Sequence, residues 1–260
     1  MKNIQQLSLF LLFIIGGSLY SYGQTDRIAQ AIEDNNLKRA LKLAEDAEED
    51  PLYKKNPEVY FLKAQVYFNI IRDPFLSSKF PDALKIGIKA LKKGKYKADG
   101  EYFPEYLPLV DSFVMLSNER GAGDYGINKY TGAIKSYKTS FELNGDMTAV
   151  YWIGKCWLMQ EDTTLGEEEY NKVVVWSREQ HMKEFDVPEV VSESFVYYAD
   201  KYWRKRQFDS ANVYLESARK IFGGNPRIDY FQKEITKQQI QTLPPSSLMM
   251  EKIKYILQFF

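Results

Sequence analysis

Residues 188–226, PEVVSESFVYYADKYWRKRQFDSANVYLESARKIFGGNP, decide the fold of this chain. They carry two amphipathic helical patterns, which a short polar turn near Arg206 separates. The residues at helical spacing are Phe195, Tyr198, Ala199 and Tyr202 in the first pattern, and Ala211, Leu215 and Ala218 in the second. The glycines at 223 and 224, followed by Pro226, are typical of a helix end. Because small residues allow close approach, we expect two antiparallel helices packed side by side.

Apolar residues at helical spacing predict the same arrangement along most of the chain. The predicted helix pairs and one last helix cover residues 25–35 and 37–49, 57–71 and 81–93, 102–118 and 128–143, 147–160 and 165–175, and 227–242. Between these helices, the sequence predicts a basic connector at 92–100, a glycine-rich loop at 121–126 and a polar link at 178–187.

These helix pairs resemble the tetratricopeptide repeat, a helix–turn–helix unit of about 34 residues with alternating aromatic and small positions. The signature positions are taken, in order, by Phe195, Tyr198, Ala199, Tyr202, Ala211, Leu215, Ala218 and Pro226. Intervals of 43, 50, 33 and 45 residues separate the small-residue markers Ala40, Ala83, Ala133, Gly166 and Ala211, which indicates insertions. The resemblance covers about residues 25–242. It implies an all-α fold, a right-handed α-solenoid of stacked antiparallel helix pairs with about five irregular repeats and a C-terminal capping helix.

The start of the chain has the organisation of an export signal. Lys2 supplies a positive charge, and residues 7–15 form an apolar run that only Ser8 interrupts. Small residues precede Gln24, so the pattern predicts cleavage after Gly23. The alternative is an uncleaved anchor helix over residues 4–22, which is barely long enough to span a membrane.

The chain is therefore expected to comprise a signal peptide (1–23), a repeat domain (24–242) and an amphipathic tail (243–260). We expect an exported protein in the periplasm or associated with the cell envelope, with no membrane span once the signal is removed. The glutamine at the predicted mature terminus and the tyrosine-rich repeats resemble exported tetratricopeptide proteins of the Bacteroidota type.

The composition limits the possible chemistry. Basic and acidic residues number 35 each, so no net charge attracts nucleic acid or an anionic membrane. The single cysteine and single histidine exclude a disulfide framework within the chain and a zinc site made of several such ligands. They also exclude most pairs of a nucleophile with a histidine base. We expect no cofactor and no catalytic residue, and we rank an enzyme that uses paired carboxylates last.

Other motifs have ordinary structural explanations. Residues 121–126, GAGDYG, match a dinucleotide-binding pattern, but no strand precedes them and no β-α-β unit is evident. His181 is expected to be a solvated residue, and Cys156 a small packing residue in a helix. Basic clusters at 92–97 and 201–206 fall where cations offset the negative end of a helix dipole.

In the family that the chain resembles, a binding groove is built mainly from the first helix of each pair. Carried onto this sequence, the groove positions that we expect to bind a partner are Phe61, Gln65, Asn69, Tyr151, Lys155, Asp200, Trp203 and Arg204. Members that clamp a terminal carboxylate have Lys and Asn where this chain has Phe61 and Gln65, so that activity is not implied.

The resemblance implies a non-catalytic scaffold or adaptor that binds a peptide or a partner protein, in the cell envelope and without nucleic acid. The alternative is a periplasmic or secreted module that holds a glycan or a small molecule on its aromatic surface. Neither the partner nor the oligomeric state follows from the sequence.

Overall fold

The structure is a computed structural model that describes residues 23–183 and 186–242. These residues form α-helices, two short 3-10 helices and connecting turns, and no β-strand occurs among them. The all-α prediction is therefore confirmed. The predicted tail and the predicted signal peptide, except Gly23, lie outside the described residues.

Twelve α-helices occur in the described part of the chain, and each predicted helix corresponds to one of them. They are α1 (residues 23–33), α2 (Leu37–Glu49), α3 (Pro57–Arg72), α4 (Pro74–Ser77), α5 (Ala83–Lys97), α6 (Leu107–Gly126), α7 (Tyr130–Asn144), α8 (Met147–Met159), α9 (Thr163–Met182), α10 (Ser192–Arg204), α11 (Phe208–Phe222) and α12 (Pro226–Thr242). However, α5, α6 and α9 end later than predicted, and the short α4 was not predicted. The 3-10 helices Pro104–Tyr106 and Glu189–Val191 lead directly into α6 and α10.

Local sequence fixes several of these boundaries. Asn56 accepts a hydrogen bond from the amide of Glu58 at the start of α3, where Pro57 takes the first helical position. Asp146 and Asp162 cap α8 and α9 in the same way. At the end of α7, Gly145 adopts a φ of 76°, a left-handed conformation that costs glycine little.

Three predicted connectors are wrong, because the helices continue through them. Residues 92–97 belong to α5, residues 121–126 complete α6, and residues 178–182 complete α9. Gly94 and Gly121 do not end their helices. An aromatic ring from another helix packs against each of them. A Cβ added at Gly94 would lie 2.5 Å from a ring carbon of Phe61, and one added at Gly121 would lie 2.9 Å from the ring of Tyr137.

The chain divides into two compact units. Within the described residues, the first comprises 23–119 and 142–144. In it, α3 packs against both α2 and α5. Its largest apolar cluster consists of Phe61, Ala64, Ala90, Leu91, Leu109, Val110, Phe113, Val114 and Leu143.

The second unit comprises residues 120–141 and the described residues from 145 to 242. It pairs α8 with α9 and α10 with α11, and α12 packs against α10 and α11. Ala199, Ala211 and Ala218 are fully buried, so the predicted close packing of α10 and α11 is confirmed. Ile228 and Ile235 of α12 are also fully buried, and they cover the apolar side of this last pair.

The pairing of α8 with α9 depends on a contact between a glycine and a ring. A Cβ added at Gly154 in α8 would lie 2.6 Å from Cδ1 of Tyr170 in α9. Real carbon atoms do not approach so closely, and the same site is crowded by Cβ of Glu169 at 3.1 Å. Hydrogen at this position is therefore what allows Tyr170 to lie flat against α8.

This contact predicts the effect of Gly154→Ala. The added methyl group has to displace a buried ring, which costs about 1–3 kcal/mol, while alanine regains about 1 kcal/mol of helix propensity. We expect a net decrease in the free energy of unfolding, measured by urea denaturation.

Gly123→Ala is the matched control, because Gly123 lies in α6 and a Cβ there would meet nothing within 4 Å. That variant should gain up to about 1 kcal/mol. Equal gains in both variants would show that Tyr170 does not press against Gly154.

Candidate functional site

The second unit contains a cleft of about 300 Å³ between α9, α10 and α12. We call it the α10 cleft, because five of its eight lining residues lie on that helix. The lining residues are Tyr170, Glu193, Val196, Tyr197, Asp200, Arg204, Arg227 and Phe231. It combines aromatic rings, carboxylates and guanidinium groups in one place.

The helical period puts the α10 residues on one stripe. The series Glu193, Tyr197, Asp200 and Arg204 has intervals of three or four residues, so these side chains project from the same side of the helix. The start of α12 adds Arg227 and Phe231, four residues apart, and α9 adds Tyr170. Each side chain is therefore held by a regular helix.

Glu193 is the centre of a polar network at the inner end of the cleft. Its Oε2 accepts hydrogen bonds from the Tyr151 hydroxyl at 2.6 Å and from Lys155 Nζ at 3.2 Å. Its Oε1 lies 3.2 Å from Nη1 of Arg227. Burial alone would raise the pKa of Glu193, but the bonds from Tyr151 and Lys155, with the charges of Lys155 and Arg227, outweigh it and lower the pKa below its ordinary value.

Aromatic rings form the inner wall. Tyr170 stacks on Tyr151, with ring centroids 5.5 Å apart and planes 10° apart, and meets Tyr197 edge to face at 5.4 Å. The Tyr197 hydroxyl donates to Glu167, which also pairs with Lys201 at 2.6 Å. Burial and this bond raise the pKa of Tyr197 to about 12, so the ring presents a neutral phenol at physiological pH. The wall is thus aromatic and uncharged.

The mouth of the cleft is basic. Arg204 Nε contacts Asp200 Oδ2 at 2.7 Å, yet the Arg204 side chain is 75% exposed and that of Asp200 only 27%. Arg227 is 58% exposed, compared with 35% for its partner Glu193. In both pairs the carboxylate lies deeper and the guanidinium group faces solvent.

The structure brings together part of the predicted binding set. Asp200 and Arg204 line the cleft, and Tyr151 and Lys155 contact Glu193 behind it. Trp203 is half-buried and meets Phe231, a lining residue, edge to face at 6.1 Å. Its Nε1 also donates to Gln238 at 2.9 Å, so Trp203 joins α10 to α12.

The other predicted residues belong to the first unit. Gln65 and Asn69 are half-buried on α3, where Gln65 Nε2 donates to Asn69 Oδ1 at 3.4 Å. They are not part of the α10 cleft. Whether they bind a partner remains a prediction.

Two predicted groove residues are not on an open surface. Phe61 is fully buried, with its ring 5.3 Å from that of Phe103 and 4.8 Å from that of Tyr106. Tyr151 is also fully buried, beneath Tyr170. Residues distant in sequence supply the rings that cover them, and whether they take part in binding remains a prediction.

Sequence reasoning missed Glu193, Tyr197 and the two residues of α12. Glu193 could have been found by extending the stripe of Arg204 and Asp200 back by two helical turns. Nothing in the sequence pairs Arg227 with α10, since that contact depends on how α12 packs.

The remaining chemistry-bearing residues have packing or surface positions. His181 is exposed in the last turn of α9, as expected of a solvated residue. Cys156 is buried, and burial raises the pKa of its thiol to about 11. Among the residues that the structure describes, no group of three or more His, Cys, Asp or Glu could hold a metal ion. The described helices include none that is both long and apolar enough to cross a bilayer.

Comparison with known proteins finds no family model that matches the chain and no curated protein with significant similarity to it.

The network around Glu193 predicts a pH-dependent effect of Glu193→Gln. Since the folded-state pKa lies below the ordinary value, the carboxylate stabilises the fold above its unfolded-state pKa, and this contribution disappears as pH falls through the folded-state pKa. At pH 7 we expect the variant to lose about 1 kcal/mol of unfolding free energy. This is the usual contribution of a hydrogen bond to a charged group, reduced because the Glu193 side chain is partly exposed to solvent.

Urea denaturation at pH 7 and pH 3 measures this loss, which should shrink toward zero at the lower pH. Glu179→Gln, which changes an exposed carboxylate of α9, is the control and should have little effect at either pH. A loss for Glu193→Gln that is equal at both pH values would mean that its charge does not stabilise the network.

Proposed function

We propose that this chain is a non-catalytic interaction module, a scaffold or adaptor that binds a peptide or an exposed segment of a partner protein in the α10 cleft. The observation that carries the proposal is the cleft itself: an aromatic wall, paired carboxylates and exposed guanidinium groups on three packed helices. Aromatic residues and arginine are the residues that protein interfaces favour.

The groups in the cleft suit binding better than covalent chemistry. Glu193 is held in its charged form, with its oxygens in contact with Tyr151, Lys155 and Arg227. A general acid or base near neutral pH needs a carboxyl pKa that is raised, and that of Glu193 is lowered. The network therefore orients side chains.

We also propose a more specific fold and cellular location for the chain. Helix pairs with small residues at their contacts, followed by the covering helix α12, support a tetratricopeptide-like right-handed solenoid of about five irregular repeats. The apolar N-terminal run supports export to the periplasm or the cell envelope. An exposed cleft on such an array would serve a partner in that compartment.

A second candidate is a module for a glycan or small molecule. It is favoured by the cleft volume of about 300 Å³, at the lower end of small-ligand sites, and by the rings of Tyr197 and Phe231 in its lining. The deep position of the other tyrosines leaves few open ring faces for stacking on a sugar. We therefore place peptide binding first.

Site-specific photo-crosslinking in native cells tests the proposal. A benzophenone amino acid in place of Tyr230, an exposed ring 5.8 Å from that of Phe231 beside the cleft, should crosslink to one dominant protein. The same probe at Glu216, exposed on α11 and outside the cleft, should not. The same adducts at both positions, or none at position 230, would contradict the proposal.

A further inference from the structure

The exposure of the charged side chains in the α10 cleft indicates which of them a ligand can contact. The carboxylates of Glu193 and Asp200 are the inner members of their ion pairs, and the guanidinium groups of Arg204 and Arg227 are the outer members. The cations are therefore the more accessible members of both pairs to a ligand from solvent.

The carboxylates are already engaged. Glu193 contacts three donors, from Tyr151, Lys155 and Arg227, and Asp200 contacts Arg204. Each arginine, in contrast, touches its carboxylate through one nitrogen in the described structure, Nε for Arg204 and Nη1 for Arg227. Since a guanidinium group has five N–H donors, most of its donors stay available to an incoming acceptor.

The local charge balance agrees with this order. Among the lining residues, Arg204 and Arg227 carry two positive charges and Glu193 and Asp200 two negative ones, and Lys155 adds one positive charge behind Glu193. A ligand carboxylate would neutralise the excess charge and could form a bidentate pair with an arginine. A cationic ligand would have to displace one of the existing partners.

Next to these cations lies apolar surface. Val196 and the rings of Tyr197 and Phe231 line the same cleft, and Phe231 is backed by Trp203. The space of about 300 Å³ accepts a side chain of aromatic size but not a folded element. One ligand can therefore contact the arginines with one group and the apolar surface with a neighbouring group.

We propose that the α10 cleft recognises an acidic residue and an aromatic residue two positions apart in an extended peptide segment, a spacing that puts both side chains on the same side of the segment. The acidic side chain pairs with Arg204 and Arg227, and the aromatic side chain packs on Val196, Tyr197 and Phe231. This inference rests on the proposed function, because it specifies the segment that the interaction module binds.

Two peptides of equal shape test it on the full chain: acetyl-Ser-Glu-Gly-Phe-Gly-Ser-amide and the same peptide with Gln in place of Glu. Both ends are blocked, so the glutamate supplies the only carboxylate. Binding is followed by amide shifts in ¹H–¹⁵N NMR spectra. We expect the Glu peptide to bind about tenfold more tightly than the Gln peptide, the ratio for one charged contact of about 1.4 kcal/mol, and to shift amides of 193–204 and 226–231.

Variants assign the preference to the cleft. In the Arg204→Gln, Arg227→Gln double variant the two peptides should bind equally, whereas Arg219→Gln, which removes a cation paired with Asp229 outside the cleft lining, should keep the tenfold ratio. A peptide with Ala in place of Phe should bind more weakly to every variant. Thermal unfolding confirms that each variant is folded.

The outcomes separate this inference from the proposed function. Equal binding of the Glu and Gln peptides at the cleft would overturn the acidic–aromatic specificity and leave peptide binding intact. Shifts confined to other helices, or none with any peptide, would overturn the inference and also remove the support for a peptide site in the α10 cleft.

Discussion

The second unit depends on a close approach of helices that only a residue without a side chain permits. Gly154 lets the ring of Tyr170 lie against α8, and Gly166 in turn accepts Leu158, whose Cδ2 would be 2.6 Å from an added Cβ. Each of the two helices thus has a glycine at the point where a side chain of the other helix packs against it. The first unit uses the same device, since the rings of Phe113 and Phe61 lie over Gly87 and Gly94. Glycine lowers helix propensity by about 1 kcal/mol, and the buried ring offsets that cost.

This packing connects the core to the candidate site. Tyr170, positioned by Gly154, is the inner wall of the α10 cleft, and it covers Tyr151. Tyr151 donates to Glu193, which holds Lys155 and Arg227 nearby. Arg227 is therefore positioned by a chain of contacts that begins in the core. A site prearranged in this way loses less conformational entropy on binding.

Much of the fold could be predicted from the sequence, because helical periodicity and caps are local signals. The ends of α5, α6 and α9 could not, since what keeps them helical is contact with distant residues. Gly94 looks like a helix end until Phe61 is placed over it. The burial of Phe61 and Tyr151 could not be predicted for the same reason, since distant residues supply the rings that cover them.

The candidate site was only partly predictable. Asp200 and Arg204 follow from the helical stripe of α10, and Glu193 would have followed from the same stripe. Arg227 and Phe231 depend on the packing of α12 against α10, which no local pattern contains. Peptides selected on the full chain from an unbiased random library, followed by a structure of the chain with the tightest binder, would show directly whether the α10 cleft is a peptide site. We expect the peptide to lie between α9, α10 and α12 and to contact Arg204 and Arg227. A peptide bound anywhere else on the chain would show that the cleft is not the binding site.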